Sequence, residues 1–162
     1  MKKSVSLAAL LLAGTLALAG TPDFKTLCGE LGAISGWTGS QCDGMKMNNP
    51  MMGGEMVTAS KTYTKGEGVM QVSVVSGMQA MMMWGPYASG TEMENDEALM
   101  KIETIDGFPV GISYDKKRNA GGIVVQLAPN AVLVGVFEHM DWKEALEGLK
   151  GLDWKKLKSL FE

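Results

Sequence analysis

The stretch from Leu99 to Glu138, LMKIETIDGFPVGISYDKKRNAGGIVVQLAPNAVLVGVFE, decides the fold. It divides into four largely apolar runs, Leu99 to Ile105, Phe108 to Tyr114, Gly122 to Ala128 and Val132 to Glu138. The breaks are Asp106-Gly107, the basic Lys116-Lys117-Arg118-Asn119 and Pro129-Asn130. Asp-Gly and Pro-Asn are turn dipeptides, and connections this short join neighbours that run in opposite directions, so consecutive antiparallel hairpins are expected. Upstream, Val57 to Tyr63 and Val69 to Val75 read as two more strands joined through Lys65-Gly66-Glu67-Gly68. Val72 and Val74 alternate with Gln71 and Ser73, the period of two that marks one buried face.

Helices close the domain at both ends. Phe24, Leu27, Cys28, Leu31 and Ile34 recur at spacings of three and four, which predicts a helix over Pro22 to Ile34 that ends at Gly36. At the other end, Asp141-Trp142-Lys143-Glu144 and Asp153-Trp154-Lys155-Lys156 repeat one phrase, each Asp placed to cap a helix and Glu144 to complete a capping box. Ser76 to Trp84 is expected to form a helical turn or two that Gly85-Pro86 ends, and the acidic Glu92 to Glu97 a solvated loop. The fold class is therefore α+β: an antiparallel sheet of five or six strands packed by an N-terminal helix and two short C-terminal helices.

A length of 162 residues with 46% apolar and 20% charged side chains suits one core, and excludes a disordered tail, a collagen-like repeat and a multidomain enzyme. Lys2 and Lys3 precede an apolar run from Val5 that ends in the small-x-small Ala17-Leu18-Ala19, which reads as a cleaved secretory signal over residues 1–19. The run is shorter than the roughly 20 residues of a membrane-spanning helix, so no transmembrane segment is expected after cleavage. Thr21 stands where a lipoprotein box needs cysteine. The remaining single domain, 20–162, is acidic overall, which argues against nucleic acid, whose phosphates call for a basic stripe. Export places the protein in the periplasm or another extracytoplasmic compartment, where Cys28 and Cys42 are expected to form a disulfide.

The outline resembles a group of bacterial exported or lipid-anchored proteins, small α+β domains. The resemblance rests on Leu27 and Leu31, Gly36-Trp37, Ser60 and Tyr63, Val69 to Val75, Gly107-Phe108-Pro109, Val132 to Val136, and Asp153 with Leu157. It is also similar in outline to small α+β domains of photosystem assembly factors. What the resemblance implies is a binding or assembly role, with an envelope protein as partner, rather than chemistry.

Catalytic signatures are absent from the sequence. His139 is the single histidine, and there is no nucleophile elbow, zinc-protease helix, phosphate loop or dinucleotide glycine fingerprint. Glu92, Glu94, Asp96 and Glu97 lack the spacing and glycine of a calcium loop. The expected function is thus a non-enzymatic binding, structural or assembly protein of the bacterial envelope.

Methionine supplies the alternative. Five of the 14 methionines, Met45, Met47, Met51, Met52 and Met56, fall in twelve residues of a Met-, Gly- and Asn-rich loop read over 38–56. Thioether sulfur is a soft neutral donor that favours Cu(I) or Ag(I) and, unlike thiolate, is not consumed by disulfide formation. Met-x-Met at 45 and 47 points both sulfurs to one side if that piece is extended. A soft-metal binding protein or chaperone is the reading that follows, beside the plainer one in which these flexible side chains fill packing gaps. Trp37 and Trp84 are read as packing anchors, and Lys116 to Arg118 as a solvated hairpin tip.

Overall fold

The computed structural model describes residues 20–162, so the leader expected over 1–19 lies outside the described residues. Nine strands form one antiparallel sheet: β1 (Thr38–Gly39), β2 (Asp43–Asn49), β3 (Gly54–Lys65), β4 (Gly68–Ser76), β5 (Met93–Glu94), β6 (Ala98–Ile105), β7 (Phe108–Asp115), β8 (Ala120–Ala128) and β9 (Ala131–Glu138). Their spatial order is β1-β3-β4-β9-β8-β7-β6-β5, with β2 paired to β3 beside β1. The helices are α1 (Phe24–Glu30), α2 (Met78–Ala88), α3 (Trp142–Lys150) and α4 (Trp154–Ser159).

The α+β class and the hairpins hold, but the sheet is larger than the five or six strands expected. The additions are β1, β2 and β5. β2 and β1 lie in the stretch read as a loop over 38–56, and β5 in the acidic segment read as solvated loop. β2 gains its strand form by pairing along its whole length with β3, from Asp43 opposite Ser60 to Asn49 opposite Gly54. The acidic segment is held by the basic turn: Lys116 binds Glu94 at 2.9 Å and donates to the Asn95 carbonyl at 2.7 Å, and Lys117 pairs with Glu97.

Alternation along the strands divides the sheet into two faces. On one face Val57, Ala59, Tyr63, Met70, Val72, Val74, Val110, Ile112, Ile123, Val125, Leu133 and Phe137 meet Leu27 of α1, Ala145 and Leu149 of α3, and Trp154 and Leu157 of α4. This three-helix face is the main core. Each large apolar side chain fully buried there favours folding by about 1.5–3 kcal/mol before chain entropy is counted. The Trp154 indole donates to the Leu149 carbonyl at 2.8 Å and meets Phe108 edge-on at 5.7 Å, fixing α4 against β7.

The α1 helix is shorter than expected, Phe24–Glu30 rather than Pro22 to Ile34, and Asp23 takes the N-cap position. Leu31 and Ile34 remain buried beyond its end. Two side chains from β3 hold that exit: Lys61 donates to the Leu31 carbonyl at 3.0 Å and the Tyr63 hydroxyl to the Gly32 carbonyl at 2.7 Å. Burial pushes the Tyr63 pKa up to about 12. Cys28 and Cys42 are bridged, which ties α1 to the segment entering β2. A closed loop of this length is worth about 3 kcal/mol by restricting the unfolded chain.

Asp141 and Asp153 cap α3 and α4 as expected, accepting from the backbone of Lys143 and Lys156 at 2.8 and 3.0 Å. Glu144 departs from the capping box and pairs with Lys65 at 3.3 Å. The α2 helix also departs from expectation, since it runs through Gly85-Pro86 to Ala88. Pro86 sits in the last turn, where a missing N–H removes a single ladder bond. Beyond it, Tyr87 anchors the helix to the sheet: its ring lies on Gly111, where an added Cβ would stand 2.3 Å from the ring, and its hydroxyl bonds the Ser113 hydroxyl at 2.7 Å. Burial raises the Tyr87 pKa, and the Ser113 hydrogen bond opposes that shift.

Candidate functional site

The second face of the sheet carries α2 and the exposed methionines. Ala80, Met83, Trp84 and Tyr87 form the inward side of α2 and pack on Val75, Val124, Val132 and Val134. Trp84 is therefore an anchor, 5.6 Å from the Tyr87 ring. Trp37 is one too, packed on the opposite face beside Gly148 with Lys65 above its ring at 5.7 Å.

The charge on this second face stands at its margins. From β2 across to β9, its residues are Met45, Met47, Met56, Thr58, Ser60, Thr62, Thr64, Val69, Gln71, Ser73, Val134 and Val136, among others. Asp43 lies at the start of β2, and Asp115 and Glu138 at the ends of β7 and β9. The α2 sequence, MQAMMMWGPYA, contains no residue that is charged at neutral pH. The lysines and glutamates of β2, β3 and β6, namely Lys46, Glu55, Lys61, Lys65, Lys101 and Glu103, point to the three-helix side by the same alternation.

The five loop methionines separate into two groups. Met47 is the register partner of Met56, and Met45 that of Thr58, so Met45, Met47 and Met56 share one side of the β2–β3 hairpin. Opposed Cβ atoms in such a pair lie about 4.5–5.5 Å apart, and alternate residues along a strand about 7 Å. A methionine places its sulfur two bonds beyond Cβ, enough reach for these three to meet above the hairpin. Met51 and Met52 instead occupy the short 3-10 turn Pro50–Met52 at the tip, with Met51 95% exposed. Asn49 caps that turn by accepting from the Met51 backbone at 3.0 Å.

Sequence reasoning missed Met78. Its methyl lies 3.0 Å from the position a Cβ on Gly53 would take, which brings the first residue of α2 to the hairpin tip. Met81 and Met82 follow on the outer side of the helix, 58% and 71% exposed. Of the described methionines, Met70 and Met140 alone are buried. The gap-filling reading applies to those two and to the half-buried Met83 and Met100, which pack on the valine patch, while Met56 is half-buried and Met45, Met47, Met51 and Met52 are exposed.

Other features offer less. His139 is exposed between β9 and α3, with a positive φ of 57°. An open groove of about 730 Å³ runs beside β6, walled by Glu94, Lys101, Tyr114, Lys116 and Trp142. Its lysines are already engaged, Lys116 with Glu94, Lys101 with Glu103 and the Trp142 ring, and Lys143 with that same ring. Among the described residues no group of three or more His, Cys, Asp or Glu side chains is placed to hold a metal, and no helix is long and apolar enough to cross a membrane. Comparison of the chain with models of known protein families, with curated proteins and with solved structures finds no match.

Proposed function

We propose that this is an exported, non-enzymatic binding protein of the bacterial envelope whose ligand is a soft monovalent cation, Cu(I) or Ag(I), held by thioether sulfur. The observation that carries the reading is the register of the hairpin, with Met47 opposite Met56 and Met45 on the same side. Neutral sulfur on an uncharged surface suits an ion that sheds water readily and prefers soft donors, and gives little to hard cations that require carboxylate or carbonyl oxygen. The Cys28–Cys42 bridge fits an oxidising compartment.

The test is an anaerobic titration of the purified protein, its disulfide intact, against a chromophoric Cu(I) chelator. A variant with Met45, Met47 and Met56 replaced by leucine runs in parallel. Competition by the parent that disappears in the variant supports the reading, and equal behaviour of the two removes it.

A second reading, docking of an envelope protein, is favoured by a different observation. Met78, Met81 and Met82 form an exposed apolar stripe on α2, and Val136 is 53% exposed on the same side of the sheet. Flexible, polarisable methionine is suited to adaptable contacts. Loss of a captured partner on Met82→Glu, with Cu(I) competition unchanged, would favour docking as the function.

A further inference from the structure

We infer that Met78, at the start of α2, is a further thioether ligand of the soft-ion site, joining Met47 and Met56 across two parts of the chain. The inference rests on the reading above, and adds a residue that lies outside the methionine-rich window. Met56 is the shared member. It stands opposite Met47 on β2, and its Cγ is 3.0 Å from where a Cβ on Gly77 would be, Gly77 being the residue before Met78. Met78 in turn reaches back to the hairpin, with its methyl against Gly53.

Glycine at both contact points makes the approach possible. An added Cβ at Gly77 would lie 2.8 Å from the Glu55 carbonyl oxygen as well as against Met56, and at Gly53 it would meet the Met78 methyl at 3.0 Å. Both glycines have φ of +89°, a conformation that other residues rarely adopt. The backbone is thus shaped to lay the first turn of α2 on the hairpin tip. Met78 is 48% exposed, so its thioether can move toward an ion without disturbing the core.

The N-terminal end of α2 carries a partial positive charge of about half a unit, which opposes a cation in proportion to the cation's own charge. With neutral donors and no carboxylate on this part of the face to offset it, the penalty is about twice as large for a divalent ion as for a monovalent one.

Ag(I) is the probe, because it requires no reductant and leaves the disulfide intact. The protein is labelled with 13C at the methionine methyl groups, and Ag(I) is added while the methyl resonances are followed by NMR. Affinity is measured in parallel for the parent, Met78→Leu, and Met82→Leu as a control on the same helix. Leucine is close in volume to methionine, so both variants keep the fold, and circular dichroism checks this. The expected result is that the Met47, Met56 and Met78 methyls shift together, that Met78→Leu weakens Ag(I) binding by about tenfold or more, and that Met82→Leu binds as the parent does. If the Met47 and Met56 methyls shift but Met78→Leu binds unchanged, the inference is overturned and the hairpin site stands. A loss of equal size in Met82→Leu also overturns it. If no methyl shifts and no variant differs, the site itself is refuted and Met78 with it.

Discussion

The two faces of the sheet are made of the same strands, yet three helices cover one and a single helix covers part of the other. On the three-helix face, Leu27, Leu149, Trp154 and Leu157 close over valine, isoleucine and phenylalanine, while lysine and glutamate ring the margin. On the methionine face, α2 covers only the patch around Val75, Val124, Val132 and Val134. The remainder is hydroxyl, amide, valine and thioether. Burial accounts for the first pattern. A surface that is both exposed and uncharged gains nothing from folding alone, since charge there would cost the fold little.

Substitutions can break or sharpen that contrast. The largest effect is expected from Leu149→Ala, which empties a site where Leu149 lies on Gly135 and should destabilise the protein by about 2–5 kcal/mol in denaturant unfolding. A loss under about 1 kcal/mol would mean that the three-helix face is not the main core. Next is alkaline pH. The Tyr63 pKa of about 12 in the folded chain lies above its ordinary value of 10.0, so the fold favours the neutral hydroxyl. That stability is fully present below pH 10 and is lost as pH rises toward 12, and because Tyr87 contributes in the same direction in both proteins, Tyr63→Phe should lose less over this range by about 1–2 kcal/mol. Parallel unfolding curves of the two proteins across that range would contradict it.

On the methionine face, Tyr87→Phe removes the hydrogen bond to Ser113 and should cost about 1 kcal/mol, read as a lower midpoint in thermal or denaturant unfolding. A cost equal to that of Leu149→Ala would erase the distinction between the faces. The smallest effect belongs to Met82→Gln, which should change stability by no more than about 0.5 kcal/mol at a side chain 71% exposed. A larger loss would show that the outer stripe of α2 packs against something that holds the fold.

Most of the sheet was legible because its signals are local. Val72 and Val74 alternate with polar neighbours, and Asp106-Gly107 turns with φ of 51° and 83°, as that dipeptide allows. β2 was not legible, because Asp-Gly-Met-Lys-Met-Asn-Asn contains no β-branched residue and becomes a strand only against β3. The length of α2 was missed for a similar reason, since what holds it past Pro86 is Tyr87 on Gly111 of β7. In the candidate site, the shared side of Met45 and Met47 could be read from their spacing. Met56 and Met78 required the hairpin register and the return of the chain along β4, neither of which short-range pattern encodes.

The disulfide has a consequence for the face it does not touch. Cys42 lies three residues before Met45 but on the other face of the sheet, where it packs with Cys28 against the main core. The bridge staples α1 to the segment that enters the methionine-bearing strand, so the core face anchors what the other face displays. Under the proposed function, a soft ion bound there would be held by neutral sulfur alone, on a strand whose position the covalent bond on the far face fixes.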